Sequence, residues 1–324
     1  MKKRQQGWTL VEVLVSTSIL ALLVIVMAEA LNTTQRSWLA SRTAADRQQT
    51  VDSATSMVSR QLRQATLQPR ASYDSSLNKL VTTSDLHFVS GPAAELMTGV
   101  PGVCGDAVFF QHPAADGSLQ RALQACGFFV QYGGDEAWRP PFLSAVPERR
   151  RFRLLQFHQP ASSLTLFQSA SVIGEPSRFS QLTSRSDLYS WFVQPISDAV
   201  SFKSSVSVVA ENVVAMIVQT SPVAQRCYDS RRYQWEAGSA EATRSRHELP
   251  ETIDLTLVMT DEARWARLSP EQADALAIEL KIFIKGQSWQ PDTLQASLNA
   301  LQQMLESNHL NLRITVISVA TSDL

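Results

Sequence analysis

From Val13 to Ala28 the chain runs sixteen residues without a charge, and Ile, Leu and Val dominate the run. Such a stretch offers no polar face to water, so it must lie in a core or in lipid. By itself it falls slightly short of the roughly 20 residues that cross a bilayer as a helix. Extending it back to Trp8 reaches spanning length, but only by including Glu12. A carboxylate inside a membrane segment costs about 2.5–3.5 kcal/mol on insertion scales, so it calls for a partner. Only a short basic segment, Met1-Lys2-Lys3-Arg4-Gln5-Gln6-Gly7, stands before the run. A secretory signal discards its apolar region with the cleaved piece; here the apolar run follows the leader and would survive its removal. Lys2, Lys3 and Arg4 hold their end cytoplasmic and send the rest across.

In Gly7-Trp8-Thr9-Leu10-Val11-Glu12 a basic leader ends in Gly, and an aromatic residue and a Thr-Leu-Val-Glu run open the apolar helix. These residues resemble the type IV prepilin family. The resemblance implies cleavage after Gly7 by a prepilin peptidase and N-methylation of the new first residue, Trp8, where Phe is usual. It also implies that Glu12, fifth after the cut, pairs with the N-terminal amine of a neighbouring subunit. Glu29, where the apolar run ends, reads as a solvated boundary residue.

No Pro or Gly interrupts residues 8–68, and Pro69 stops the stretch. As a helix rising 1.5 Å per residue it would reach roughly 90 Å. In its outer half Val51, Ala54, Val58, Leu62 and Ala65 form one stripe at helical spacing, while Arg47, Arg60 and Arg63 take other faces. The expected organisation is a leader over 1–7, a helix over 8–68 that spans the membrane at 8–28, and a head over 69–324.

Beyond Pro69, short runs rich in aromatic and β-branched residues read as strands: 85–89, 107–111, 127–131 and 152–158. A longer run covers 207–220, and a polar loop over 227–247 reads as exposed and mobile. Residues 252–260 alternate Ile253, Leu255, Leu257 and Met259, a strand with one wet face. Helices over 270–284 and 291–307 and a strand over 312–319 close the chain. Helices and strands that do not alternate regularly predict an α+β head with an antiparallel sheet packed on the long helix.

Several phrases of this head, Ser84-Asp85-Leu86-His87-Phe88-Val89-Ser90-Gly91-Pro92, Ala107-Val108-Phe109-Phe110-Gln111, Ala125-Cys126-Gly127-Phe128-Phe129-Val130 and Tyr228-Asp229-Ser230-Arg231, resemble the Verru_Chthon cassette protein C family. So do Arg139-Pro140-Pro141-Phe142-Leu143, Arg151-Phe152-Arg153-Leu154 and Ala210-Glu211-Asn212-Val213. That family consists of pilin-like proteins encoded in cassettes with other pilin-like members, which implies sibling subunits as partners.

Active-site signatures are missing: there is no GxSxG elbow, Walker loop, HExxH or EF-hand loop, and the five His residues are scattered. Ser76 and Lys79 form an SxxK without its companion motifs. No catalytic residue, metal or cofactor is expected. A formal net charge of -1 supplies no surplus of cations for nucleic acid. One concentrated basic patch, Arg149, Arg150, Arg151 and Arg153, reads as a contact for an acidic partner or polyanion, or as a charged strand edge with Phe152 facing the core. Among Cys104, Cys126 and Cys227, a Cys104–Cys126 disulfide is expected in an oxidising compartment, the alternative being three buried thiols. The resulting expectation is a non-catalytic minor pilin or pseudopilin with its head in the periplasm. The alternatives are a filament-tip adhesin or DNA-uptake subunit and a membrane-tethered periplasmic enzyme.

Overall fold

The computed structural model describes residues 9–74, 78–114, 123–140, 142, 145–160, 163–164, 166, 182–221, 226–308 and 310–321. Gly7, Trp8, Ser76, Pro141, Leu143 and His309 lie outside the described residues. The chain divides into two compact units, Met1–Ser53 and Ala54–Leu324.

Helix α1, Leu10–Arg63, supplies almost all that is described of the first unit. Its large apolar side chains from Leu10 through Leu39 are exposed, and a 30-residue stretch, Leu10–Leu39, is long and apolar enough to cross a membrane. In the second unit the last turns of α1 bury Ala54, Val58 and Leu62. The helix stops short of Pro69. Gln64 and Ala65 donate backbone hydrogen bonds to Gln61 and Leu62, a tightened final turn, and Thr66 N–H donates to Gln111 O at 3.0 Å. That contact draws the chain off the helix path before proline would have ended it.

The rest of the second unit is an α+β head. Its elements are β1 (Arg70–Asp74), β2 (Lys79–Thr83), β3 (Val89–Pro92), α2 (Ala93–Leu96), β4 (Val103–Pro113), β5 (Leu123–Gly133) and β6 (Arg151–Gln159). There follow α3 (Arg185–Ser197), α4 (Ala199–Ser205), β7 (Val206–Glu211), β8 (Val213–Ser221), β9 (Tyr228–Asp229) and α5 (Ala240–Arg244). Then come β10 (Thr252–Thr260), α6 (Glu262–Trp265), α7 (Pro270–Gly286), α8 (Leu294–Ser307) and β11 (Leu312–Ala320). Every ladder is antiparallel: a six-stranded sheet in the order β7-β6-β5-β4-β3-β9, a three-stranded sheet β11-β10-β8, and the hairpin β1-β2.

The run expected as one strand over 207–220 is two strands in different sheets. Asn212 makes the corner with φ 62°, donates its N–H to Phe152 O at 2.8 Å, and accepts from Thr260 N–H at 2.9 Å. A short polar side chain tolerates that left-handed backbone where a β-branched one would not. β8 then lies against β4 so closely that a Cβ on Gly105 (φ +70°) would stand 2.5 Å from Met216 O. On the face of β10 expected to be wet, Thr256 and Val258 are buried like Ile253, Leu255 and Leu257 on the other face, and only Thr252 and Asp254 stay partly exposed.

An aromatic cluster forms the core between α3 and the large sheet. Phe109 stacks on Phe192 at 4.0 Å between centroids and touches Phe129, Phe157 and Trp191. Opposite Phe109 across the ladder stands Gly127, where a Cβ would lie 2.1 Å from Phe109 Cδ1. The ring occupies the space that glycine leaves. Neither α3 nor α4 is among the helices that the sequence pattern predicts: Pro195 interrupts α3, whose apolar stripe includes Tyr189, Trp191 and Phe192, and α4 is only seven residues long.

Candidate functional site

The first turn of α1 carries a reciprocal cap. Thr9 is the N-cap and Glu12 the third helical residue. Glu12 Oε2 accepts from Thr9 N–H at 2.9 Å and from Thr9 Oγ1 at 3.0 Å, while Glu12 N–H donates to Thr9 Oγ1 at 3.3 Å. This is a capping box, with two otherwise orphaned backbone donors satisfied by two side chains. The Thr-x-x-Glu spacing announces it in the sequence, and the reading that looked only for a partner in a neighbouring chain missed it. Ser16, Thr17 and Ser18 turn their hydroxyls back onto the helix carbonyls of Glu12 and Leu14 at 2.7–3.0 Å. The hydroxyls on these turns are thus satisfied within the helix, as a low-dielectric surrounding requires. Glu29 is exposed, as are its neighbours on α1.

The cysteine expectation is corrected. Cys104, Cys126 and Cys227 are all free thiols. Cys104 and Cys126 sit on the paired strands β4 and β5, but Cys104 stands opposite Val130 and Cys126 opposite Phe110. Four residues of β5 separate Val130 from Cys126, about 13 Å of strand, against the ~7 Å that a disulfide spans between Cα atoms. Burial pushes both thiols up to about 12.

The basic patch is corrected as well. Arg151 pairs with Glu211 at 2.5 Å and Glu262 at 3.0 Å. Arg153 donates to the carbonyls of Gly133 and Gly134 at 2.8 Å and of Arg149 at 2.9 Å, and lies over the Trp138 ring. Arg150 reaches Asp274 at 2.6 Å. Only Arg149, Arg150 and their neighbours toward 145 are exposed; Arg151 and Arg153 are buried. Nor is β6 an edge, because β5 and β7 flank it. Arg150, Arg151 and Arg153 tie this part of the chain to surrounding elements through carboxylates and carbonyls of the head itself.

Residues 227–247, expected as an exposed loop, hold the most polar part of the interior. His87 is fully buried, and its Nε2 lies 2.7 Å from Asp229 Oδ1. The Trp191 indole N–H points at His87 Nδ1 from 3.2 Å. An indole N–H only donates, so Nδ1 accepts and the ring proton sits on Nε2, directed at the carboxylate. Asp229 also accepts from Arg231 N–H at 2.7 Å, and from Tyr189 Oη and Trp235 Nε1 at 3.0 Å. Burial pushes its acidity toward the neutral form, but His87 and these donors outweigh burial and hold the carboxyl below its ordinary range. Buried Arg231 donates to Leu86 O and Ser84 O at 3.1 and 2.6 Å.

The same network explains why 85–88 is not strand. Its backbone donors go to side chains instead: His87 N–H to Gln111 Oε1 at 2.7 Å and Phe88 N–H to Ser230 Oγ at 3.0 Å. Both nitrogens of His87 are engaged, so the His–Asp pair resembles a catalytic dyad in composition but has a tryptophan where a substrate proton would sit. Beside it a cavity of about 230 Å³ is lined by Cys227, Asp229, Arg232, Glu241, Arg244 and Glu248 among others. Among the described residues no group of three or more His, Cys, Asp or Glu could hold a metal ion.

Compared with known families, residues 2–28 match a model described as the prokaryotic N-terminal methylation motif. No curated protein and no solved structure matches the chain. The chain thus carries the N-terminal methylation motif typical of type IV prepilin- and pseudopilin-like proteins, on a single hydrophobic N-terminal helix. The motif implies processing by a prepilin peptidase, and together with the apolar helix it suggests inner-membrane anchoring of a structural subunit.

Proposed function

We propose that the protein is a non-catalytic minor pilin or pseudopilin, assembled with other pilin-like subunits into a type IV pilus-like or secretion-type filament. The leader over 1–7 is removed after Gly7, Trp8 becomes the methylated first residue, and 8–28 crosses the inner membrane with the head in the periplasm. One observation carries this reading: the methylation motif opens a helix whose apolar side chains are bare from Leu10 to Leu39. Lipid covers such a surface in the membrane, and outside the membrane only like helices do so. A head of the size of Ala54–Leu324 fits a minor component better than a close-packed repeating subunit. The resemblance of several head phrases to the Verru_Chthon cassette protein C family supports sibling pilin-like subunits as partners.

Within the filament Glu12 exchanges its cap on Thr9 for the amine of a neighbour, a charge-assisted contact worth about 1.5–3 kcal/mol. The test compares wild type with Glu12→Gln. Cleavage, read as a mature mass beginning at Trp8, and membrane abundance should be unchanged. The sheared filament fraction should fall about tenfold or more, the equivalent of that contact energy. Equal incorporation of both forms would leave Glu12 as a helix cap alone, and a mature mass beginning at Met1 would refute the processing.

A further inference from the structure

The three-stranded sheet treats its two borders differently. On β8 the Val218 N–H is taken by the buried carboxylate of Asp106 at 2.9 Å, and Asp106 is itself held by Arg226 at 2.7 Å. On the other border stands β11, and among the described residues no strand pairs with its outer side. Natural edges are blunted by shortness, proline, bulges or charge. β11 is nine residues long, its ladder to β10 runs without a register shift from Leu312↔Thr260 to Ala320↔Thr252, and Arg313 is its single charge. Val316, at its centre, is 63% exposed. A row of unpaired backbone groups on a flat apolar edge accepts one kind of occupant, an extended strand.

We propose that the occupant is a second copy of this chain, with β11 pairing antiparallel to the partner's β11 about a two-fold axis at Val316. A copy brings a strand of matching length that is already extended, so little ordering entropy opposes the contact. Centring on Val316 overlaps all nine residues and sets Thr315 opposite the partner's Ile317 and Ile314 opposite the partner's Ser318. This register keeps the side of the strand bearing buried Val319 continuous with the same side of the copy. The two Arg313 side chains then stand at opposite ends, about 20 Å apart along the strands, well beyond the ~8 Å screening length at physiological salt. The charge pattern therefore permits a like partner. The contact closes at two copies and joins the sheets into one of six strands; it does not propagate, so it is separate from the contacts that extend a filament.

The test uses the full chain in detergent micelles with Cys227→Ser, so that the exposed native thiol does not contribute. Under a mild added oxidant, Val316→Cys should form a disulfide-linked dimer and Arg313→Cys should not. Val316→Lys, which sets two ammonium groups across the axis, should shift the light-scattering mass from dimer to monomer with unchanged circular dichroism. A Val316→Cys chain that stays uncrosslinked would overturn the proposal. So would equal cross-linking at position 313, or a dimer that survives Val316→Lys and is therefore held by α1.

Discussion

Replacing Asp229 with alanine should be among the most damaging single changes available in the head. Four donors converge on that carboxylate: His87 Nε2, Arg231 N–H, Tyr189 Oη and Trp235 Nε1, at 2.7–3.0 Å. Tyr189 can rotate its hydroxyl elsewhere, but the indole and backbone N–H groups cannot, and His87 loses the acceptor that its proton faces. A buried donor left without an acceptor costs about 1–3 kcal/mol, and three such donors, the Trp235 indole, the Arg231 backbone N–H and His87, lose theirs together. Since the effects overlap, the loss expected is about 4–6 kcal/mol, a large share of the 5–15 kcal/mol that stabilises a typical domain. Asp229→Asn keeps one acceptor oxygen and should lose about half as much. The assay is denaturant unfolding of the full chain in micelles, followed by tryptophan fluorescence, which reports on Trp191 and Trp235. A double-mutant cycle with His87→Leu should give a coupling above ~1 kcal/mol, because the two residues share a bond. An Asp229→Ala chain within ~1 kcal/mol of wild type would refute the claim that this network holds 227–247 in place. The pH response has a definite sign: with its folded acidity below the usual value, Asp229 contributes stability at neutral pH and loses it as pH falls below about 4.

Asp106 should behave in the opposite sense. Burial outweighs Arg226 and raises its carboxyl to about 6, so stability should rise as pH falls from about 6 toward 4; Asp106→Asn should remove that slope from a melting-temperature profile, and an unchanged slope would count against the assignment. In the folded protein at pH 8 a thiol reagent should label Cys227 alone, with three labels after denaturation, since Cys104 and Cys126 are buried and pushed up to about 12. Only one label after denaturation without reductant would restore the disulfide that the register forbids. Gly127→Ala should cost about 1–3 kcal/mol by overpacking, because Phe109 must leave its stack on Phe192; the loss should shrink in a Phe109→Leu background, and an equal loss there would place the strain elsewhere.

The anchoring segment was legible in the sequence because its information is local. A basic leader, Gly7, the run from Thr9 to Glu12 and sixteen uncharged residues lie side by side, and a helix needs no distant contact to satisfy its backbone in lipid. The strands of β4, β5, β6 and β10 were legible for a similar reason, as each carries its own β-branched and aromatic pattern. What the tertiary structure decided depends on pairing. Cys104 and Cys126 looked like bonding partners until the β4–β5 register put them about 13 Å apart. Arg151 and Arg153 looked like a surface until Glu211 and Glu262, remote in sequence, met them. The polar stretch around Asp229 looked like solvent-facing loop, since nothing local reveals that His87, Tyr189 and Trp191 will enclose it. Spacing along the chain reports which face a side chain takes; which partner waits on that face is fixed only when segments from tens to more than a hundred residues apart are brought together.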